Sequence, residues 1–176
     1  MNRALFAIPL LLAIAMGSFF FYVMRSGIDI EALKSPLLGK PLPSNQLATI
    51  EFSGTRDPSS LHEQGPFLLN VWGTWCPACF DEHPVLNRLA QEGVRIIGLN
   101  YQDDLAAAQR WLIELHNPYE VNLIDADGQY GFDLGVYGAP ETFFVNADGL
   151  LVHRQVGEFT MEMWRNELQS IWESML

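Results

Sequence analysis

The sequence predicts an α/β domain, a mixed β-sheet flanked by helices, that follows one N-terminal membrane-spanning helix. Two observations lead to this fold class. Short apolar runs alternate with segments of helical periodicity in the order strand, helix, strand, helix, strand, followed by a hairpin and a last helix. An uncharged stretch of 21 residues, 4–24, precedes all of these elements.

The N-terminal stretch is long enough to cross the roughly 30 Å hydrocarbon core of a bilayer. A cleaved signal peptide has a shorter apolar core followed by a small-x-small site, whereas here such a pattern, Ala13-x-Ala15, lies inside the run. We therefore expect residues 1–25 to be an uncleaved signal anchor, with a cleaved signal peptide as the alternative. Residues 26–45, which contain three prolines, are expected to be a tether before one domain at 46–176.

The charge balance excludes one class of partner. The chain has 10 basic and 21 acidic side chains. Residues 1–25 contain two arginines and no acid, so residues 26–176 carry 8 positive and 21 negative charges, a net −13. Nucleic-acid binding needs a basic face, and none is available here. An acidic surface on a water-soluble domain is the ordinary interpretation.

The strands and helices of the domain follow from hydrophobic periodicity and from glycine and proline positions. The apolar run at 67–72 is typical of a buried central strand. The elements predicted are a short strand at Leu47–Phe52, a polar loop at 54–65, a strand at Phe67–Trp72, a helix from Pro77 to Gly93, a strand at Val94–Asn100, a helix capped by Asp103 and ending near Leu115, a strand at Val121–Ile124, a helical turn at 128–134, a hairpin of Thr142–Val145 with Leu150–Arg154, and a helix at 160–176.

Cys76 and Cys79 are the two cysteines of the chain, and two residues separate them. A structural disulfide usually closes a longer loop. A zinc site would need about two further ligands, and the four histidines show no second ligand pair. A C-x-x-C pair next to a strand–helix–strand pattern is typical of a thioredoxin-like redox motif. We therefore predict redox chemistry, on the side of the membrane where disulfides persist.

The position of the pair indicates a role for each thiol. Cys76 is expected at the start of a helix, with Pro77 in the first helical position, where a missing N–H has no cost. The helix N-terminus favours the Cys76 thiolate, which is the nucleophile. Cys79 lies one turn further and is expected to be less exposed and to resolve the mixed disulfide. Trp75 is expected to flank the thiols, with a core aromatic as the alternative.

A second feature is the segment 138–142, which precedes a predicted strand. Pro140 occupies the position where strand pairing would begin. A cis bond before Pro140 would turn Ala139 toward the thiols and would leave backbone groups free to pair with an extended substrate. An ordinary trans-proline at a strand entry is an equal alternative from the spacing alone.

These motifs together resemble a known family. Residues 36–176, with the N-terminal anchor, resemble the membrane-anchored thiol:disulfide interchange proteins of cytochrome c maturation, the CcmG/DsbE type of the thioredoxin superfamily. The C-x-x-C motif alone identifies only the superfamily, and the run G-V-Y-G-A-P-E-T-F is much more specific. The matching stretches are Trp72–Cys79, Glu82–His83, Gly98–Tyr101, Asn117–Tyr119 and Gly135–Phe143.

The resemblance implies a thioredoxin-like fold with a central insert, placed around Tyr119–Val136, and a cis bond before Pro140. It implies a periplasmic reductant on the bacterial inner membrane, with a single membrane pass and no cofactor or metal. The implied partners are apocytochrome c, or a thiol protein of cytochrome c maturation, as client, and a transmembrane thiol reductase of the DsbD or CcdA type as electron donor.

The resemblance also implies roles for acidic residues near the thiols. Thioredoxins carry a buried aspartate six residues before the first cysteine, and Asn70, which cannot ionise, stands there in this chain. Glu82 and Glu141 match the family positions that would exchange protons with Cys79. For both, a purely structural role is the alternative. Tyr137 is expected to line the substrate groove or to pack. His83, by contrast, is expected at the surface.

Four other functions are compatible with the same motif. A general extracytoplasmic reductase would have other clients, and an oxidase would run the same exchange in the opposite direction. A metal chaperone would use Cys76, Cys79 and His153 as ligands. A binding scaffold would leave the thiols without a role.

Overall fold

The computed structural model describes residues 4–25, 37–51 and 53–176, and the chain divides into two compact units, Met1–Leu33 and Lys34–Leu176. In the first unit, helix α1 covers Ala4–Arg25. Among the described residues, no helix combines the length and the hydropathy expected of a membrane span. Residues 26–36 of the predicted tether lie outside the described residues.

The second unit contains a mixed sheet, as predicted, and this sheet has five strands. Its strands stand in the order β5-β4-β3-β6-β7; β3, β4 and β5 run parallel, and β6 and β7 are antiparallel to their neighbours. A separate two-stranded ribbon pairs β1 with β2. The strands are β1 Leu47–Ala48, β2 Thr55–Arg56, β3 Phe67–Trp72, β4 Ile96–Tyr101, β5 Val121–Asp125, β6 Glu141–Val145 and β7 Leu151–Val156.

Helices connect these strands, and alternate strand residues build a core on each face of the sheet. Leu68, Ile96 and Phe144 belong to one core cluster, which also contains both cysteines. Leu69 and Ile97 belong to the other cluster, which also contains Tyr130 and Leu134. The helices are a 3₁₀ helix Pro58–Gln64, α2 Pro77–Gln91, α3 Leu105–Glu114, α4 Gln129–Leu134, α5 Met161–Met163, a π-helical segment Trp164–Leu168 and α6 Gln169–Glu173.

The segment 39–50, which contains β1, reaches the sheet at both of its edges. The Gly39 N–H donates to the Leu151 carbonyl over 2.8 Å, and the Leu151 N–H donates to the Lys40 carbonyl over 2.9 Å, beside β7. Further along, the Ile50 N–H donates to the Asn122 carbonyl over 3.0 Å, beside β5. The described part of the predicted tether, 37–45, therefore lies against the sheet.

Two elements differ from the sequence prediction early in the domain. The predicted strand Leu47–Phe52 is only two residues long, and its residue 52 lies outside the described residues. The predicted polar loop 54–65 contains β2 and the 3₁₀ helix. Asp57 explains that helix, because its carboxylate accepts hydrogen bonds from the Ser59 N–H over 2.9 Å and the Ser59 hydroxyl over 2.7 Å. This is a capping interaction ahead of a proline, which sequence periodicity does not detect.

Two further differences concern helices. Asp103 does not cap α3; the N-cap is Asp104, whose carboxylate accepts from the Ala107 N–H over 2.8 Å. The predicted helix 160–176 is interrupted by the π-helical segment, which adds one residue to a turn. The segment 119–136, predicted as an insert, contains β5 and α4.

Candidate active site

The two cysteines lie where β3 ends and α2 begins. Cys76 is the N-cap residue of α2, Pro77 is its first helical residue, and the two sulfurs form a disulfide. The Cys79 N–H donates to the Cys76 sulfur over 3.1 Å. Cys76 is 3% exposed and Cys79 is 1% exposed. In the dithiol form, this N–H and the helix N-terminus would favour a negative charge on the Cys76 sulfur.

The loop that carries the cysteines is held by Asp103. The Thr74 N–H and hydroxyl donate to the Asp103 carboxylate over 2.7 and 2.6 Å, and the Asn100 amide donates to it over 2.9 Å. Trp75 is half exposed beside the cysteines, and its indole N–H donates to the Tyr101 carbonyl over 3.0 Å. The carboxylate that was expected to cap α3 therefore ties the active-site loop to the end of β4.

We expect Asp103→Ala to lower the free energy of unfolding by about 2–3 kcal/mol, because hydrogen bonds to a carboxylate are stronger than neutral ones. Asp104→Ala is the control, since it removes only a helix cap, which contributes about 1 kcal/mol. Urea unfolding measures both losses, and the rate of disulfide reduction should fall in the Asp103 variant alone. Equal losses and equal rates in the two variants would contradict this assignment.

Glu82 lies on α2, one turn beyond Cys79, and is buried. Its carboxylate accepts from the Asn70 side-chain amide over 2.8 Å and from the Phe159 N–H over 2.8 Å. The same Asn70 amide donates to the Thr142 hydroxyl over 3.0 Å. Burial raises the pKa of Glu82 from 4.5 to about 7, and the negative charge of Glu158 adds to the rise. A carboxyl that titrates near neutral pH can accept and return a proton.

The Glu82 shift predicts how stability depends on pH. The folded state keeps this carboxyl protonated at pH values where the unfolded chain has lost the proton. The stabilisation is therefore complete below pH 4.5 and is lost as the pH rises through about 7. Relative to Glu82→Gln, the wild type should lose about 3 kcal/mol of unfolding free energy across that window, at about 1.4 kcal/mol per pH unit.

Chemical denaturation of the oxidised protein between pH 4 and pH 8.5 measures this difference. Glu92→Gln, which changes an exposed glutamate just after α2, is the control and should follow the wild-type profile. A wild-type profile that stays parallel to that of Glu82→Gln would show that the buried carboxyl does not titrate in this range.

A second buried carboxylate, Glu141, directly follows Pro140. The segment 138–142 is called the proline segment below. The Ala139–Pro140 bond is cis, and Ala139 packs against the core cluster that contains both cysteines. Glu141 forms an ion pair with Arg154 at 2.6 Å, with side-chain exposures of 2% and 3%. Burial raises the pKa of Glu141, although the Tyr137 N–H, the nearby guanidinium and the Gly138 N–H oppose the rise. The Arg154 guanidinium lies 4.4 Å from the centroid of the exposed Tyr137 ring.

Two histidines were named from the sequence, and the structure contradicts the expectation for one of them. His83 was expected at the surface, and this is wrong, because it is 2% exposed. One ring nitrogen donates to the His116 carbonyl over 2.8 Å, and the other accepts from the Trp111 indole N–H over 3.3 Å. Burial lowers the pKa of His83. His153 packs edge-on against Phe144, and within the described part of the chain no group of three potential metal ligands occurs.

Several known proteins resemble this chain in sequence. The Redoxin family model matches residues 38–170. The thiol:disulfide interchange protein DsbE of Pseudomonas aeruginosa is 44% identical over 176 residues, which cover 100% of this chain and 97% of that protein. The chain belongs to the DsbE type of the Redoxin family. The DsbE proteins of Haemophilus influenzae and Escherichia coli K12 are 45% and 41% identical, and the matches cover 96% and 98% of this chain and 94% and 96% of theirs.

Two solved structures of other proteins have the same fold as this DsbE-type chain. A secreted Mycobacterium tuberculosis disulfide oxidoreductase has a TM-score of 0.61 at 24% identity, over 72% of this chain and 96% of its own. A DsbE from Chlorobium tepidum, described as putative, has a TM-score of 0.64 at 22% identity, over 76% and 95%. The fold is thioredoxin-like, and the DsbE-type chain is a thiol:disulfide interchange protein with a C-x-x-C pair.

Sequence reasoning missed three residues of this DsbE-type site. Asp103 was assigned to a helix end, and neither Arg154 nor Tyr119 was singled out by itself. Arg154 had a weak signal, since an arginine inside a predicted strand needs a partner when it is buried. Tyr119 lies in the Asn117–Tyr119 stretch that the family resemblance contains, but its hydrogen bond to Asn70 joins residues 49 positions apart.

Proposed function

We propose that this chain is a periplasmic dithiol reductant of cytochrome c maturation, which keeps the haem-binding cysteines of apocytochrome c, or of a partner thiol protein, reduced. The observation that carries the proposal is the pairing of a C-x-x-C at a helix N-terminus with Glu82, a buried carboxyl whose pKa is about 7. A reductant must present one thiolate and must take a proton from the second thiol, and these two features suit the two tasks.

The exchange begins with the reduced protein. The Cys76 thiolate attacks one sulfur of the client disulfide, a new S–S bond forms, and the second client sulfur leaves as a thiolate. Glu82 accepts the Cys79 proton. The Cys79 thiolate then attacks the Cys76 sulfur, the mixed disulfide breaks, and the first client sulfur leaves. Two electrons have passed to the client, and the Cys76–Cys79 disulfide remains.

The proline segment is the proposed binding site for the client polypeptide. A cleft of about 240 Å³ is lined by residues of this segment and by the end of β7. Ala139 and Pro140 border it together with Tyr137 and Glu141, and Ala139 also packs against the cluster that contains the thiols. We propose that an extended client segment lies along this cleft, beside Trp75, so that its cysteine reaches Cys76.

The location and the electron donor are part of the same proposal. Residues 4–24 would anchor the chain in the inner membrane as a single span, with the C-x-x-C domain in the periplasm. The support is the uncharged 21-residue stretch and the full-length match to proteins named DsbE. A transmembrane thiol reductase of the DsbD or CcdA type would return electrons to Cys76 and Cys79.

The test combines the redox midpoint potential of the protein with the phenotype of a deletion strain. The midpoint potential of the full-length protein in detergent should lie nearer to that of thioredoxin, roughly −270 mV, than to that of an oxidant such as DsbA, roughly −120 mV. A strain that lacks the gene should lose covalently attached haem, and the wild-type chain should restore it. A potential near the oxidising end would contradict a reductant, and normal c-type cytochromes in the deletion strain would indicate a general reductase instead.

A further inference from the structure

The Asn117–Tyr119 stretch has no part in the thiol exchange described above. In the structure it places the Tyr119 side chain in the core. Tyr119 is 6% exposed, and its ring stacks on Trp72 with centroids 5.6 Å apart. The Asn117 side-chain oxygen accepts from the Tyr119 N–H over 3.0 Å and thereby fixes the backbone that carries the ring. The residues just before β5 therefore place a phenol inside the core, against the strand that leads to the cysteines.

The Tyr119 hydroxyl determines the orientation of a buried amide. It donates to the Asn70 side-chain oxygen over 2.8 Å. A side-chain amide has an acceptor oxygen and a donor nitrogen on opposite sides. With its oxygen on Tyr119, Asn70 must direct its N–H groups at Glu82, over 2.8 Å, and at Thr142, over 3.0 Å.

We propose that Tyr119 is a positioning residue for proton transfer: its hydroxyl holds the Asn70 amide so that N–H, and not oxygen, faces the Glu82 carboxylate. Without the hydroxyl, the Asn70 oxygen has lost its donor, and the amide can turn its oxygen toward Glu82. An oxygen there would oppose the ionised carboxylate, whereas an N–H stabilises it. The inference deepens the proposed proton-accepting role of Glu82. The effect of Tyr119 on the titration of Glu82 is independent of that role, and only its effect on the rate of client reduction rests on it.

The other titratable groups around Glu82 leave its carboxyl free to exchange a proton near neutral pH. On α2 itself, the exposed Asp81 and the buried His83 flank Glu82 in sequence, and Cys79 lies one turn earlier. Burial lowers the pKa of His83, which keeps that ring neutral. Glu158, beside the Phe159 N–H, contributes a negative charge. Burial raises the pKa of Tyr119 far above 10, so the phenol stays a donor throughout. Asn70 of β3, which donates to Glu82, and Thr142 of β6, which accepts from the same amide, are uncharged.

Tyr119→Phe tests the proposal in the full-length reduced protein. Infrared absorption of the protonated Glu82 carboxyl, identified by its loss in Glu82→Gln, is followed against pH. The titration midpoint should rise by about one pH unit, so that the ionised fraction at pH 7 falls about fivefold. The pH profile of client reduction should move in the same direction.

Tyr130→Phe is the matched control. Tyr130 is also a buried tyrosine of the 119–136 segment, but its hydroxyl donates to the Pro43 carbonyl over 3.2 Å, away from Glu82. This variant should leave the Glu82 midpoint unchanged. In an Asn70→Ala background, Tyr119→Phe should cause no further rise, because the coupling passes through the amide.

Three results are decisive. An unchanged infrared midpoint in folded Tyr119→Phe, or an equal rise in Tyr130→Phe, overturns the positioning role. A rise confined to Tyr119→Phe supports it, whatever the kinetics show. If the midpoint rises while the rate profile of client reduction is unaffected by Glu82→Gln, the positioning role stands and the proposed proton role of Glu82 fails, so the two failures are distinguishable.

Discussion

Replacing Cys76 by serine is expected to abolish client reduction, with a loss of at least about 10⁴-fold in rate. A serine hydroxyl is not ionised at neutral pH, and its oxygen cannot form the S–S bond through which the electrons pass. The Cys76 sulfur also accepts the Cys79 N–H hydrogen bond at the start of α2, where the helix N-terminus favours its thiolate. The rate of reduction of a disulfide peptide, followed by mass spectrometry, measures the loss.

Cys79→Ser separates attack from resolution and is the matched comparison. The Cys76 sulfur remains at the helix N-terminus, so the first exchange should proceed, but nothing then releases the client. A stable mixed disulfide should accumulate with one client per chain, visible on a non-reducing gel and removed by dithiothreitol. Normal turnover by Cys79→Ser, or a trapped complex formed by Cys76→Ser instead, would reverse the roles assigned to the two thiols.

Arg154→Met is expected to cost about 3–5 kcal/mol of unfolding free energy. The guanidinium donates to the Glu141 carboxylate over 2.6 and 2.9 Å, and both side chains are almost fully buried. Removal of one partner leaves an uncompensated charge in the core. The Tyr137 ring would also lose the cation on its inner face.

Arg88→Met is the control, because Arg88 and Glu92 form an ion pair at 2.8 Å with exposures of 56% and 47%. An exposed pair of this kind contributes about 0.3–0.5 kcal/mol. Urea unfolding at pH 7 compares the two variants. The deficit of Arg154→Met should shrink at acid pH, where Glu141 is protonated and no longer needs a counter-charge. Similar losses in both variants, or a deficit independent of pH, would contradict a buried ion pair.

Strands β3 and β4 could be predicted because they are buried on both faces. Phe67–Trp72 lies between Pro66 and Gly73, and Val94–Asn100 follows Gly93. The structure confirms both strands with shifts of two residues or fewer. The turn at 146–149 was predicted from its composition, and the Gly149 N–H does donate to the Asn146 carbonyl, over 2.9 Å. Local composition is sufficient for such elements.

The site could be predicted only where its chemistry is carried by a local motif. The C-x-x-C pair and the proline segment are contiguous in sequence. The partners of Glu82 come instead from β3 and from the loop before α5, and nothing in the helical periodicity of α2 shows that a glutamate and a histidine at adjacent positions are both buried. Long-range polar contacts of this kind depend on the tertiary arrangement, which periodicity does not contain.

The contacts of residues 39–50 with the sheet have a consequence for self-association. Strands β5 and β7 are the edges of the sheet, and an uncovered edge can add a strand from another molecule. Gly39 and Lys40 occupy backbone groups beside β7, and Ile50 does so beside β5. One segment thus occupies part of both edges of the sheet. A shortened version of the protein that begins after residue 50 would lose these hydrogen bonds at both edges and would aggregate more readily than the full chain.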